Sequence, residues 1–240
     1  MTDLEQNYQA IYFHPHNSKG CAMNLMAFGF HQFQRVEKIK RLGEYKELCF
    51  ANEKASIDDR IASEFGFNQL LDCIKISLCF ENFMKSLLLL NGYIIHKLEK
   101  NSFKDLYYQQ FNRPIALQEI LSTNKWEINE KLQTTNPEMR NQIKGILKNT
   151  IGMKELLSKE YQKLFNISPN IISVCKPYFE YRNNLHLYMH ESINISINDY
   201  RDLIEIISFV NNHLVRIHNL VIDDIGKSSE YKLHKIQLCV

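Results

Sequence analysis

The amino-acid sequence predicts an all-α protein, and three observations favour that class. The 240 residues include 8 Gly and 5 Pro, about half the usual share, so the chain lacks the turn residues that many short strands would need. Apolar residues recur at intervals of three and four along several long stretches, which is the spacing of one helix face. Hydrophobic residues make up 45% of the chain and charged residues 23%, values that fit a globular core and exclude a disordered or fibrous protein.

Three helices are expected in roughly the first hundred residues. They are predicted over residues 21–42, 56–65 and 68–98. Basic residues crowd the end of the first helix before Gly43, and Gly66 interrupts the pattern after the second. The third helix carries the strongest periodic pattern in the chain, and Asn91-Gly92 marks a break in it.

Shorter helices and one long helix are expected in the rest of the chain. The shorter ones are predicted over residues 103–110, 115–122, 137–148 and 152–164. Ser168-Pro169 is typical of a helix start, and the helix that it begins is expected to reach Met189, with Pro177 as a kink. A long helix over 197–221 precedes a tail at 231–240, whose weak alternation fits a short strand or an arm on a partner.

The predicted helices are expected to pack together without a separating linker. No stretch rich in Gly, Pro or Ser divides the sequence. We therefore predict a helical bundle over residues 66–222, with residues 1–65 as an N-terminal helical extension packed on this core. Residues 223–240 are expected to form a C-terminal tail. A homodimer is also expected, because apolar helix faces need cover and two-fold pairing is the commonest assembly.

Charge and cysteine content narrow the class of protein. The 29 Lys and Arg residues against 27 Asp and Glu give a formal charge of +2, so nucleic-acid binding would have to come from a local patch. The 6 cysteines form no C-x-x-C pair, and we expect reduced, mostly buried thiols.

The N-terminal sequence is acidic, unlike a signal peptide, and no apolar run approaches the roughly 20 residues of a membrane span. A cytoplasmic protein without membrane contact is the expectation.

Familiar catalytic motifs are missing from the sequence. The 8 glycines are never closer together than Gly145 and Gly152, which excludes the G-x-G-x-x-G and Walker phosphate loops. The chain also has no G-x-S-x-G or H-E-x-x-H motif. Backbone cradling of a nucleotide phosphate is therefore not expected, the hydrolase-elbow and zinc-protease classes are excluded, and no cofactor or resident metal is expected.

Two basic groups are candidates for contact with a phosphate backbone. Arg140, Lys144 and Lys148 lie four residues apart on one face of the helix predicted over 137–148, and they are the predicted RNA-binding residues. A second basic group lies within residues 35–41. For both groups the alternative is a solvated helix face, which is common for runs of charge.

The segment Tyr181–His190 combines side chains suited to phosphate chemistry. Arg182, His186 and His190 follow one another at intervals of four, so on a helix they project from neighbouring parts of one face. A guanidinium binds phosphate through a planar fork of donors and stabilises developing charge. An imidazole that titrates near neutrality accepts or donates a proton. A metal-free ribonuclease needs these groups.

Spacing alone leaves other interpretations of this segment open. An arginine and two histidines beside Tyr181 and Tyr188 also fit a buried polar network or an aromatic-stacked surface. A metal site at His186 and His190 is a further alternative, for which Glu191 is the nearest third ligand.

Two stretches resemble the HEPN domains (higher eukaryotes and prokaryotes nucleotide-binding), within residues 66–222. Residues 78–93, a Leu-rich run that ends in Gly-Tyr, are similar to the family's early helix. Arg182-Asn183 followed by a nearby His is similar to the family signature, in which the His follows the Arg after four to six intervening positions. Here His186 comes one position too early for that spacing and His190 one position too late.

The resemblance implies a dimeric helical bundle in which the signature helices of two subunits form a composite ribonuclease site. Arg182 would stabilise charge on the scissile phosphate, His186 or His190 would act as general base on the ribose 2′-hydroxyl, and Asn183 would orient a phosphate oxygen. Such a protein would be a metal-independent endoribonuclease of the toxin or phage-defence type. The alternative is a non-catalytic relative that binds RNA, an antitoxin or another protein.

Overall fold

The structure is a computed structural model that describes residues 15–52, 59–123, 146–183 and 195–225. Ten helices and a two-stranded antiparallel sheet lie in these ranges. The predicted all-α class is confirmed, and within these ranges the small sheet and an isolated antiparallel bridge between Tyr93 and Ala116 depart from it. None of the helices described here combines the length and the apolar character that crossing a membrane requires.

The chain divides into two compact units. One consists of Met1–Leu25 and Met84–Ile167, and the other of Met26–Phe83 and Ser168–Val240. Each unit therefore contains two separate stretches of the sequence. The predicted division into residues 1–65, 66–222 and 223–240 stays a prediction.

Three helices open the described chain: α1 (Pro15–Gln34), α2 (Glu37–Lys40) and α3 (Leu42–Asn52). The single helix predicted over 21–42 is wrong, because the helix breaks before Glu37. The carboxylate of Asp72, a residue only 1% exposed, accepts the backbone N–H groups of Glu37 and Lys38 at 2.8 and 3.2 Å. A side chain distant in sequence thus caps α2, which no local pattern reveals. Gly43, the predicted end, lies inside α3.

A long helix, α4 (Asp59–Leu90), follows. The predicted interruption at Gly66 is wrong because that residue lies inside α4, and the predicted continuation to about Leu98 is wrong because the chain turns after Leu90. The break expected at Asn91-Gly92 is confirmed. Gly92 has a φ of +75°, a left-handed conformation that glycine adopts without a steric penalty.

The first unit contains the sheet and four short helices. The sheet pairs β1 (His96–Leu98) with β2 (Ile146–Thr150), and the helices are α5 (Lys104–Gln110), α6 (Leu117–Leu121), α7 (Met153–Leu156) and α8 (Lys159–Phe165). The predictions over 103–110 and 115–122 are confirmed, whereas the stretch predicted over 152–164 forms two helices. The unit's core includes Met84, Leu87, Leu98, Phe103, Ile151 and Tyr161.

The helix predicted over 137–148 is wrong at its C-terminal end. Residues 146–148 belong to β2, where Ile146 lies opposite Leu98 in the antiparallel pair. Strand pairing with a segment about fifty positions away decides the conformation here, and it overrides the helical spacing of the charged residues. The rest of that predicted helix lies outside the described residues.

The second unit contains α9 (Pro169–Asn183) and α10 (Ile197–Ile225), with α10 packed against α3 and α9. Both predicted starts are confirmed, Pro177 lies inside α9, and the predicted stretch of this helix from 184 to 189 lies outside the described residues. The buried face of α10 repeats at helical spacing. Its core residues are Leu203, Ile206, Ile207, Val210, Leu214 and Ile217.

Candidate functional site

Arg182 lies in the last turn of α9, and its guanidinium pairs with Glu81 of α4. Arg182 Nη1 donates a hydrogen bond to Glu81 Oε2 at 2.6 Å, and the two side chains are 30% and 13% exposed. Among the described residues, Arg182 uses its Nη1 nitrogen for the contact with Glu81. A charge-assisted bond of this length fixes the direction of the guanidinium while part of it stays open to solvent.

Two further contacts hold α4 and α9 in register beside this ion pair. Ser77 Oγ donates to the backbone oxygen of Tyr178 at 3.1 Å, and the rings of Phe80 and Phe179 lie 5.1 Å apart. The Ser77 contact and the Arg182 pair both join residues 101 positions apart. The two helices therefore run in the same direction here, and each turn of one faces the matching turn of the other.

The other predicted catalytic residues follow directly after Arg182. Asn183 is the last residue of α9, and its side chain is outside the described part of the structure. His186 and His190 lie in the stretch 184–194, which is also outside it. Among the predicted catalytic residues, the structure thus gives side-chain contacts for Arg182. Its partner Glu81 is a further residue of the candidate site.

The predicted RNA-binding face is not supported as a single helix face. Lys148 lies in β2 and not in a helix. Arg140 and Lys144 lie outside the described residues. The prediction that these three residues share one helical face is therefore wrong for Lys148, and its physical cause is the pairing of β2 with β1.

The basic group at residues 35–41 is largely engaged by the protein itself. Lys38 is only 6% exposed, and its ammonium lies 5.0 Å from the centre of the Tyr45 ring. Arg41 pairs with Glu64 at 2.7 Å and also with Glu44. Lys38 and Arg41 therefore already have aromatic or acidic partners, whereas Arg35 and Lys40 are exposed on this segment.

The described cysteines of the second unit, Cys49, Cys73, Cys79 and Cys175, behave as small core residues. Burial raises the pKa of Cys49 and Cys73 to about 11 and that of Cys175 to about 12, and it also raises that of Cys79. These four are buried and free, as predicted, whereas Cys21 is exposed. In the described ranges, no three His, Cys, Asp or Glu side chains lie together as a metal-binding group.

Sequence reasoning did not find Glu81 as the partner of Arg182. Glu81 lies within the Leu-rich stretch that resembles the HEPN early helix, but nothing in that stretch distinguishes it from the other polar residues along α4. A separation of 101 positions hides the contact from any local pattern. The sequence contains one weak indication of this contact: Glu81 lies in one of the two stretches that resemble HEPN domains, and Arg182 lies in the other.

Comparisons with protein-family models, curated proteins and solved structures found no match. The resemblance to HEPN domains therefore depends on residues 78–93 and on the Arg182 segment alone. It stays a prediction, because function depends on the residues of a site and not on a fold.

Proposed function

We propose that the chain is a HEPN-like, metal-independent endoribonuclease that uses Arg182, with His186 or His190, at a two-fold interface. The observation that carries this proposal is the Arg182–Glu81 pair. It orients a partly exposed guanidinium at the end of α9, and the chain leads from there into the segment that holds both histidines. A guanidinium held through one nitrogen keeps donors for a phosphate oxygen.

The proposed reaction uses the ribose itself as nucleophile. One imidazole removes the proton of the 2′-hydroxyl, whose oxygen attacks the adjacent phosphorus while the bond to the 5′-oxygen breaks. A second imidazole, from either subunit, acts as the general acid and protonates the leaving 5′-oxygen. Arg182 stabilises the charge that builds on the phosphoryl oxygens, and Asn183 orients one of them. The products are a 2′,3′-cyclic phosphate and a 5′-hydroxyl.

The biological setting belongs to the same proposal. A ribonuclease without cofactor would suit a toxin or phage-defence role in the cytoplasm, with an antitoxin or other protein as its partner. The homodimer supplies the second histidine to each site. Light scattering should give a dimer mass at micromolar concentration, and a monomer mass across that range would contradict the composite site.

The first test is RNA cleavage by the purified protein. Cleavage should survive EDTA, leave 2′,3′-cyclic phosphate ends and spare DNA, because DNA lacks the attacking hydroxyl. Arg182→Ala should lower the rate at least a hundredfold, since loss of one charge-stabilising donor costs roughly that much. Arg182→Lys keeps the charge but loses the planar fork, and it should recover little of the rate.

Matched variants separate chemistry from folding. Glu81→Gln keeps the size of the side chain and a hydrogen-bond acceptor, so it should fold as the parent does and lose less activity than Arg182→Ala. Helical circular dichroism of all three variants should match that of the parent. Intact RNA with the parent dimer, or equal cleavage by Arg182→Ala, would overturn the enzyme proposal.

Comparison of His186→Ala with His190→Ala identifies the general base. We expect the larger loss for His190→Ala, because eight positions on a helix return the imidazole to about 80° from Arg182 and leave room for a phosphate. Equal, small losses would contradict a role for either histidine.

The second candidate function is a non-catalytic RNA- or protein-binding module. The same ion pair favours it, because the Glu81 carboxylate neutralises the guanidinium and repels a phosphate that approaches the pair. Glu81→Gln discriminates between the two functions. An enzyme that needs Glu81 for orientation should become slower, whereas a simple binding module should bind RNA more tightly once the repulsion is removed.

A further inference from the structure

The end of α5 and the residue that follows it, Phe111, present aromatic rings to solvent in the first unit. Tyr108 is 49% exposed and Phe111 is 42% exposed. The ring of Tyr107 contacts both of these rings edge to face. Its centre lies 5.3 Å from the centre of the Tyr108 ring and 5.2 Å from that of the Phe111 ring. We call Tyr107, Tyr108 and Phe111 the aromatic face. Two exposed rings that both contact the half-buried ring of Tyr107 form an apolar surface of the kind that marks an interaction site.

Two lysines flank the aromatic face. The ammonium of Lys100 lies 5.4 Å from the centre of the Tyr108 ring, and its hydrogen bond with Tyr108 raises its pKa, so it is charged at neutral pH. Lys104 is exposed and precedes Tyr108 by one helical turn, which places both on the same side of α5. Asp105, also exposed, is the acidic residue of this turn.

The face is held in place by the core beneath it. Gln110, the last residue of α5 and only 5% exposed, accepts the backbone N–H of Leu98 at 3.0 Å and donates to the backbone oxygen of His96 at 2.8 Å. Tyr161 Oη donates to the backbone oxygen of Gln110 at 3.1 Å. These bonds fix α5 on β1, so the exposed rings are preorganised and little ordering entropy is lost when a ligand stacks on them.

We propose that the aromatic face binds single-stranded RNA, with bases stacked on Tyr108 and Phe111 and the adjoining phosphates beside Lys100 and Lys104. Each nucleobase has a flat π-face that stacks on an aromatic ring, and lysine ammonium groups bind the phosphates that link successive bases. Aromatic rings alone would suit any apolar ligand, but their combination with two cations is complementary to a stacked, negatively charged strand. The choice of RNA depends on the proposed function.

The test measures binding to RNA separately from cleavage. Arg182→Ala serves as the background for all variants, so that cleavage does not remove the probe. The probe is a labelled oligouridylate of about 12 nucleotides, a length that suits one stacking surface, and the readout is fluorescence anisotropy. Tyr108→Ala and Phe111→Ala should each weaken binding between about fivefold and a hundredfold, whereas Tyr108→Phe should bind as the background does.

Two controls and one further variant make the test specific. Phe67→Ala removes a ring that is 87% exposed on α4, and it should leave the affinity unchanged. An oligonucleotide of equal length with abasic spacers keeps the phosphates, and its affinity should not respond to Tyr108→Ala. Lys104→Gln should reduce the slope of log affinity against log salt by about 0.7, the value for one phosphate contact on a single strand.

The outcomes distinguish this proposal from the enzyme proposal. RNA binding that requires Tyr108, in a parent protein that cleaves nothing, supports the aromatic face and overturns the nuclease. Cleavage by the parent with unchanged binding by Tyr108→Ala overturns the aromatic face alone. Self-association that Tyr108→Ala abolishes, without any RNA binding, would show that the aromatic face binds a protein surface, and it would also overturn the proposal.

Discussion

At the scale of single residues, the important contacts of this chain join positions that are far apart in sequence. Arg182 was predicted as a site residue from its type and its spacing to two histidines, but its partner Glu81 was not. In the sequence, Asp72 is likewise one of several polar residues along α4, although its carboxylate caps α2 and also lies 3.3 Å from Lys75 Nζ. Sequence patterns identify which chemistry a residue offers, whereas the tertiary fold determines which partner it has.

The cap by Asp72 leads to a stability prediction. Asp72→Ala leaves two backbone donors at the start of α2 without their acceptor, and it should lower the free energy of unfolding by about 1–3 kcal/mol. Asp72→Asn keeps one oxygen acceptor and should lose less. Urea denaturation followed by circular dichroism measures both changes.

An exposed carboxylate provides the control for Asp72. Glu160→Ala removes an ion pair with Lys163 whose side chains are 52% and 72% exposed, and it should change the free energy of unfolding by less than about 1 kcal/mol. Equal losses for Asp72→Ala and Glu160→Ala would contradict a structural role for the buried carboxylate.

At the scale of elements, the sequence was sufficient where one amphipathic pattern extends over many turns. The long helix α10 was predicted near its observed bounds because its buried residues repeat at helical spacing. The short helices α5 and α6 were also predicted, but elements whose ends depend on other segments were not. The break before α2 depends on Asp72, and β2 exists because β1 supplies its hydrogen-bond partners.

The crossing of α1 and α4 gives an element-scale prediction. A Cβ added at Gly29 would lie 3.1 Å from Asn82 Cβ and 3.2 Å from the backbone oxygen of Cys79. The backbone of α4 cannot move aside cheaply, so Gly29→Ala should lower the free energy of unfolding by about 1–3 kcal/mol despite its better helix propensity. Thermal unfolding followed by circular dichroism measures the change.

The same substitution at Gly43 is the matched control. Gly43 lies inside α3, and a Cβ added there would meet no atom within 4 Å. Gly43→Ala should therefore raise the free energy of unfolding by up to about 1 kcal/mol, because alanine favours the helix. Stabilisation by Gly29→Ala as well would contradict close packing between α1 and α4.

At the scale of the whole molecule, composition predicted the fold class but not the division into two units. Two of the three unit boundaries, after Leu25 and after Phe83, fall inside α1 and α4. A helix that continues across a boundary has no Gly, Pro or Ser signal, so a search for linkers cannot find it. Few glycines and prolines were sufficient to predict the helical class, because that conclusion depends on the absence of many turns and not on contacts between distant residues.

We also predict how the stability of the protein changes with pH, because the second unit contains a buried histidine, His213. This residue is 9% exposed, and its Nδ1–H donates to the backbone oxygen of Phe209 at 3.1 Å, while Nε2 has no hydrogen-bond partner among the described residues. Burial lowers its pKa to about 4, and the charge of Arg216 contributes to the same direction. The folded protein therefore holds His213 neutral at pH values where the unfolded chain has already bound a proton.

The sign of the pH dependence follows from that difference. Above the ordinary pKa of 6.5, both states are neutral and His213 adds no slope. As the pH falls from about 6.5 to about 4, the unfolded state binds one more proton, so the free energy of unfolding should fall by roughly 3 kcal/mol in total. In His213→Leu this part of the slope should disappear, and the exposed His31→Leu is the matched control. Urea titrations at several pH values measure the slope, and parallel curves for the parent and His213→Leu would contradict a neutral, buried imidazole.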